Sequence, residues 1–188
     1  LSFLEPTFTA LNIDPLPHTA IVDALTLAQA LVPPFPPDAA VIIAQIYSVS
    51  VASDIKLTLM ETYPDEHPVK LVHAAGSKQQ VVESLPLYEI DRSAHIGLLT
   101  TLYLPPLQAG CSFEAFQEII ARLRAPDGCP WDRQQTHQTL RSHLLEETYE
   151  ALSALDADDP QHMREEFGDL LLQIVLHAQI AAEAGEFT

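Results

Sequence analysis

Two stretches near the C-terminal end constrain the fold more than any other feature of this chain. LRSHLLEETYEALSALDA (140–157) and QHMREEFGDLLLQIVLHAQIAAEAG (161–185) both place apolar residues at helical spacing. Between them stands Asp159-Pro160, and a proline either ends one helix or opens the next. DADDPQH is short enough to reverse the chain, so the two helices are expected to run antiparallel. Gly185 is placed to close the second helix. Leu144, Leu145, Ala151, Leu152 and Leu155 of the first are expected to form core, as are Leu170, Leu171, Leu172, Ile174, Val175 and Leu176 of the second.

The same pair of helices carries an unusual concentration of charge. Nine of the 24 residues from 146 to 169 are Asp or Glu, and Arg164 is the one Lys or Arg among them. Glu147 and Glu150 are three apart, Glu146 and Glu150 four apart, and Glu166 and Asp169 three apart. Each spacing puts two carboxylates on one helical face, where like charges repel. In an antiparallel pair the two acidic stripes can face each other. One reading is a solvated acidic face. The other is a cation site, favoured by the doubled spacing and by the apolar residues that flank Glu150 and Asp169. Ionised carboxylates near a core are costly unless paired. An all-oxygen donor set suits Mg²⁺ or Mn²⁺ rather than zinc. A di-iron bundle wants Glu-x-x-His on two helices, which neither helix has. A calcium-binding EF-hand loop wants a glycine that DADDPQ lacks.

Ahead of these helices the pattern differs. Residues 1–107 are rich in proline and β-branched residues. VIIAQI (41–46), PVKLVHA (68–74), QVVESLPLYEI (80–90) and TTLYLPPL (100–107) read as strands. ASDIKLTLMETY (52–63) reads as a helix stopped by Pro64, and VPPFPPD (32–38) as a connector. Strands mixed with helices predict an α/β or α+β unit. From about residue 108 the chain is expected to be all-α. SFEAFQEIIARLRA (112–125) has Ser112 as a start signal and apolar Phe113, Phe116, Ile119, Ile120 and Leu123. PDGCPWD (126–132) reads as a loop. The expected division is thus 1–107 and 108–188.

The 188 residues are 47% hydrophobic and 19% charged, enough for a real core, with a formal net charge of −17. That charge argues against a nucleic-acid backbone as partner. A nucleotide stays compatible, because a divalent cation supplies positive charge. Two cysteines, Cys111 and Cys129, are too few for a disulfide framework, and a reducing cytoplasm is the expected compartment. No apolar run is long enough to span a bilayer, so no membrane partner is expected. The start, LSFLEP, lacks an initiator Met and the features of a signal peptide, and reads as the interior of a longer chain.

GCPWDRQQTH (128–137), LRSHLLEETYEAL (140–152) and EEFGDLLLQIVLHAQIA (165–181) together resemble the MazG family of nucleoside triphosphate pyrophosphohydrolases. EExxE followed by ExxD is that family's Mg²⁺ motif. The resemblance implies an all-α helical bundle of MazG type that cleaves a nucleoside triphosphate into the monophosphate and pyrophosphate. It implies Glu147, Glu150, Glu166 and Asp169 as Mg²⁺ ligands, with Mn²⁺ as an alternative ion. Glu146 lies beside them, as an outer ligand or as the group that orients water. It also implies a homodimer or higher homo-oligomer. Trp131, the chain's one Trp, is either a wall of the nucleotide pocket or a core anchor for its loop. Arg133 and Arg141 are candidates to meet phosphates, although exposed helix arginines are more often solvated. Asp132 is expected to cap the following helix. Cys129 reads as a packing residue and His177 as a satisfied core histidine.

LSFLEPTFTAL (1–11), VASDIKLTLMETYPDEHPVKLVHAAG (51–76) and LPLYEIDRSAHIGLLTTLYLPPL (85–107) resemble the C-terminal lobe of a tetrapyrrole (corrin/porphyrin) methylase. The resemblance implies S-adenosylmethionine as cofactor for the complete methylase domain alone, since the lobe with the Gly-rich loop has no counterpart here. The whole is expected to be a piece of a fusion protein, and GEFT is expected to be followed by a further helix and a basic segment. Two other functions are consistent with such a chain: a fragment of an S-adenosylmethionine-dependent methyltransferase, or a regulatory module without catalysis.

Overall fold

The computed structural model describes residues 3–16 and 18–187. Its chain forms two compact units, Leu1–Phe113 and Glu114–Thr188.

The first unit is built on a five-stranded mixed sheet. Its strands are β1 (Thr19–Asp23), β2 (Ala40–Ala44), β3 (Pro68–His73), β4 (Val81–Pro86) and β5 (Thr100–Leu104), in the spatial order β1-β2-β5-β3-β4. Only β1 and β2 pair in parallel; the other neighbours are antiparallel. Helices α1 (Leu4–Leu11), α2 (Ala24–Ala28) and α3 (Val49–Met60) complete the unit. AVIIA is apolar throughout because β2 buries both faces. Val41 and Ile43 enter the main core with Ala52, Ile55 and Leu59 of α3, while Ile42 joins Leu11 and Val72 in a smaller core that includes α1. The period of two in β2 and β3 thus sorts neighbouring side chains to opposite faces.

The structure shifts some sequence boundaries. α3 starts earlier than expected, at Val49, because Ser48 Oγ accepts from the Val51 N–H and caps it. The strand expected to reach residue 90 stops at Pro86 and gives way to a 3-10 turn over Leu87–Arg92. There Leu87 and Ile90, three apart, both drop into the main core, which a strand could not arrange. Lys56 pairs with Asp91 at 2.6 Å and ties that turn to α3. α1, β1 and α2 were not expected. Asp23 makes α2 possible by accepting from the N–H groups of Leu25 and Thr26.

The second unit is helical, with α4 (Phe113–Arg124), α5 (Pro130–Gln134), α6 (Arg141–Asp156) and α7 (Pro160–Ala184). α6 and α7 pack as a helical hairpin. Asp159 caps α7 by accepting from Gln161 N and His162 N, with Pro160 next to it in the first turn. Gly185, at φ 70°, takes the left-handed conformation that ends the helix. Ile120, Leu140, Val175, Leu176 and Ile180 form the core of this unit. The expected loop at 126–132 already contains the start of α5, whose first residue is Pro130. Asp132 therefore lies inside α5, and Leu140 precedes α6 with no side-chain cap.

Several residues expected to be core are exposed: Leu145, Leu152, Leu155, Leu171 and Ile174. Two helices of one hairpin share a single seam, so apolar positions off that seam face outward. Glu150 and Asp169 are likewise exposed instead of lying embedded among apolar side chains. Among the described residues no helix is long and apolar enough to cross a membrane.

Candidate metal centre

EExxE on α6 and ExxD on α7 become one cluster through the hairpin. Glu147, Glu150 and Glu166 each offer a carboxylate oxygen, and these oxygens all lie within 4.8 Å of one another. Partial burial pushes the Glu147 carboxyl above its ordinary value, and the charges of Asp169, Glu150, Glu166 and Glu146 push it further, in that order. Asp169 and Glu146 therefore stand within electrostatic reach of Glu147, although neither belongs to the tight group of three. Such crowding disfavours the ionised state that a cation would reward. The donors are hard carboxylate oxygens with no thiolate, which matches Mg²⁺ or Mn²⁺.

His162 was not among the residues expected at a site. Its Nε2 lies 3.0 Å from Glu166 Oε1, one turn earlier on α7. The spacing His-x-x-x-Glu was readable as a same-face pair.

The segment that carries Trp131, on α5, is held by a clamp. Arg124 at the end of α4 donates through Nε and Nη2 to both oxygens of Glu183 on α7, at 2.8–3.1 Å. Its Nη1 donates to the carbonyls of Asp132 and Gln135, on α5 and just beyond it. The guanidinium holds Glu183 below the ordinary carboxylate value. Gly128 lies against the end of α4, where a Cβ would come within 2.3 Å of the Leu123 carbonyl oxygen. No local pattern links Arg124 to Glu183, which are 59 residues apart.

Trp131 is 53% exposed, so it does not serve as a core anchor. Its ring meets His143 edge-on at 6.0 Å. His143 precedes Glu147 by four residues on α6, about 6 Å along the axis and on the same face. Arg133 and Arg141 are exposed, and neither makes an ion pair among the described residues. Cys129 is half-buried.

His177 departs from expectation. Its Nδ1 meets His137 Nδ1 at 2.7 Å, with the ring planes 2° apart and the centroids separated by 5.0 Å. Ring centres so much farther apart than the two nitrogens mean that the rings lie head to head, sharing one proton, and are not stacked face on face. The Nε2 of His177 is buried without a partner among the described residues. Burial, then the charge of His137, lowers its pKa from the ordinary 6.5.

Comparison with known proteins places these observations. Residues 135–188 match the MazG nucleotide pyrophosphohydrolase domain. The uncharacterized protein YabN of Bacillus subtilis is 45% identical over 191 residues, covering 100% of this chain and 38% of YabN. The nucleoside triphosphate pyrophosphohydrolase/pyrophosphatase MazG of Thermotoga maritima is 52% identical over 81 residues, covering 43% of this chain and 32% of that protein. The chain thus spans well under half the length of either relative. A uroporphyrin-III-C-methyltransferase structure from Thermus thermophilus aligns with 52% of this chain and 44% of its own, at 18% identity and a TM-score of 0.41. That likeness is too slight to argue from. The acidic cluster and the His137–His177 pair both fall within the matched span, and the chain carries a MazG domain over residues 135–188, behind a mixed α/β unit.

Proposed function

We propose that the helical unit is a Mg²⁺-dependent nucleoside triphosphate pyrophosphohydrolase, forming a nucleoside monophosphate and pyrophosphate. The observation that carries the reading is the meeting of three carboxylates within 4.8 Å, inside the residues that match the MazG domain. The activity named for the Thermotoga relative supports it. Glu147, Glu150, Glu166 and Asp169 would hold the cation. When bound, a divalent cation neutralises phosphate charge and lowers the pKa of a coordinated water.

The chain's own residues supply positioning, which is most of what phosphoryl transfer asks of a protein. α6 and α7 bring the carboxylates to one place. Glu146, exposed beside Glu147, is the candidate to orient water and take its proton as oxygen bonds to the α-phosphorus and pyrophosphate departs. Trp131, whose ring meets that of His143 one helical turn before Glu147, is the candidate to stack a base while the phosphates lie at the carboxylates. Arg133 and Arg141 are the candidate phosphate contacts. The functional form is a homodimer or higher homo-oligomer. Phe167, Leu171 and Ile174 support this, since they are exposed and line one face of α7.

The test is turnover of a panel of nucleoside triphosphates with Mg²⁺, products separated. Monophosphate with pyrophosphate is expected. Diphosphate with orthophosphate, or no turnover of any triphosphate, contradicts the proposal.

A further inference from the structure

His162 sits where the acidic stripe of α7 begins. Residues 162, 166 and 169 follow at spacings of four and three, so all lie on one face of the helix. Its Nε2 is 3.0 Å from Glu166 Oε1. The Glu166 side chain is only 14% exposed, against 42% for His162, so little water reaches the carboxylate that the imidazole touches. Backbone geometry at this point is set by Asp159, whose Oδ1 accepts from the His162 N–H at 3.2 Å. Arg164 is the sole Lys or Arg among residues 146–169, and no ion pair of Arg164 with these acids occurs among the described residues. Among the described residues, the imidazole is thus the basic side chain that lies against the cluster.

We propose that His162 is a positioning residue for the cation: its Nε2–H donates to one oxygen of Glu166, fixes the rotamer of that carboxylate and leaves the other oxygen to the metal. The inference rests on the metal reading above. A ligating carboxylate is itself commonly hydrogen-bonded from outside, and loss of such a partner costs about 10- to 100-fold in metal affinity. The same helix shows that a glutamine donates to a glutamate at this spacing. Gln161 Nε2 donates to Glu165 Oε1 at 2.7 Å, and Gln179 Nε2 to Glu183 Oε1 at 3.0 Å, both at the same i,i+4 spacing.

The experiment is a titration of the full chain with Mn²⁺, following free Mn²⁺ by electron paramagnetic resonance. Wild type, His162→Ala and His162→Gln are compared, with metal-free melting as a control on folding. The Ala variant is expected to bind at least about tenfold more weakly at unchanged stoichiometry. The Gln variant is expected to stay near wild type, and all three to melt alike without metal. Wild-type affinity in the Ala variant, or an equal loss in Ala and Gln, would overturn the role of His162 alone. A wild-type chain that binds no Mn²⁺ would overturn this role and the metal reading together.

Discussion

Arg124→Met is the perturbation whose size the structure allows to be worked out most fully. The Arg124 side chain is 8% exposed and joins α4 to Glu183 on α7 and to the carbonyls of Asp132 and Gln135. Methionine keeps the apolar stem and removes the guanidinium fork. Glu183 is 38% exposed, so water recovers part of what it loses, and that half of the clamp is worth about 1 kcal/mol. The Gln135 carbonyl left without this donor costs about 1 kcal/mol more, while the Asp132 carbonyl keeps the Gln135 N–H and costs little. The expected loss is about 2 kcal/mol of local stability. Arg124→Lys keeps the charge without the fork and should lose about half as much. Trp131, the chain's single Trp, lies on the clamped segment, so its fluorescence in a urea titration reports this region and no other. A shift below about 0.5 kcal/mol for Arg124→Met would refute the clamp, since that is the scale of an ordinary surface substitution.

Four further outcomes follow from the same geometry. Gly128→Ala drives a Cβ to 2.3 Å from one backbone oxygen and 2.4 Å from another, so the end of α4 must move; a loss of about 3 kcal/mol is expected in the same titration. On acidification, the folded state resists protonating His177 while the unfolded chain takes up the proton at an ordinary value near 6.5. Stability is therefore full above that pH and lost as pH falls through it towards the lowered folded value, and His177→Asn should flatten this slope in urea midpoints measured against pH. Glu147 has the opposite sign: its raised carboxyl favours the protonated folded state, so the gain in melting temperature on adding Mg²⁺ should be largest at neutral pH and fade in acid. Finally, Ile174→Asp puts a charge on the exposed apolar face of α7, and sedimentation should show the wild-type oligomer reduced to monomer.

The parts of this structure that sequence patterning conveys are those encoded locally. The α6–α7 hairpin is legible because helical periodicity runs on both sides of Asp159-Pro160 and because Asp159 and Gly185 are residue types that open and close helices. The strands of the first unit are legible where β-branched runs are unbroken, as in β2. α1 was missed because LEPTFTAL holds a proline and two threonines, and only packing on Ile42 and Val72 makes it a helix worth forming. The 3-10 turn at Leu87–Arg92 was hidden because LYEI satisfies a strand pattern as well as a turn, and tertiary burial of Leu87 and Ile90 decides between them. For the candidate site, residue spacing conveys which acids share a helical face. The convergence of Glu166 with Glu147 and Glu150 depends on how two helices pack, and the Arg124–Glu183 clamp depends on contacts across 59 residues. Neither is written in any short stretch.

The central claim is that the carboxylates of α6 and α7 hold the cation at which a triphosphate is cleaved. Its most direct test is pyrophosphate release from a nucleoside triphosphate during a Mg²⁺ titration, comparing wild type with Glu150→Gln. Glutamine keeps the size of the exposed side chain and removes its charge, so folding should be unaffected. The account predicts Mg²⁺-dependent pyrophosphate release in wild type and its loss in Glu150→Gln, with no orthophosphate from either. Equal release from both proteins, or release that does not depend on Mg²⁺, would contradict it.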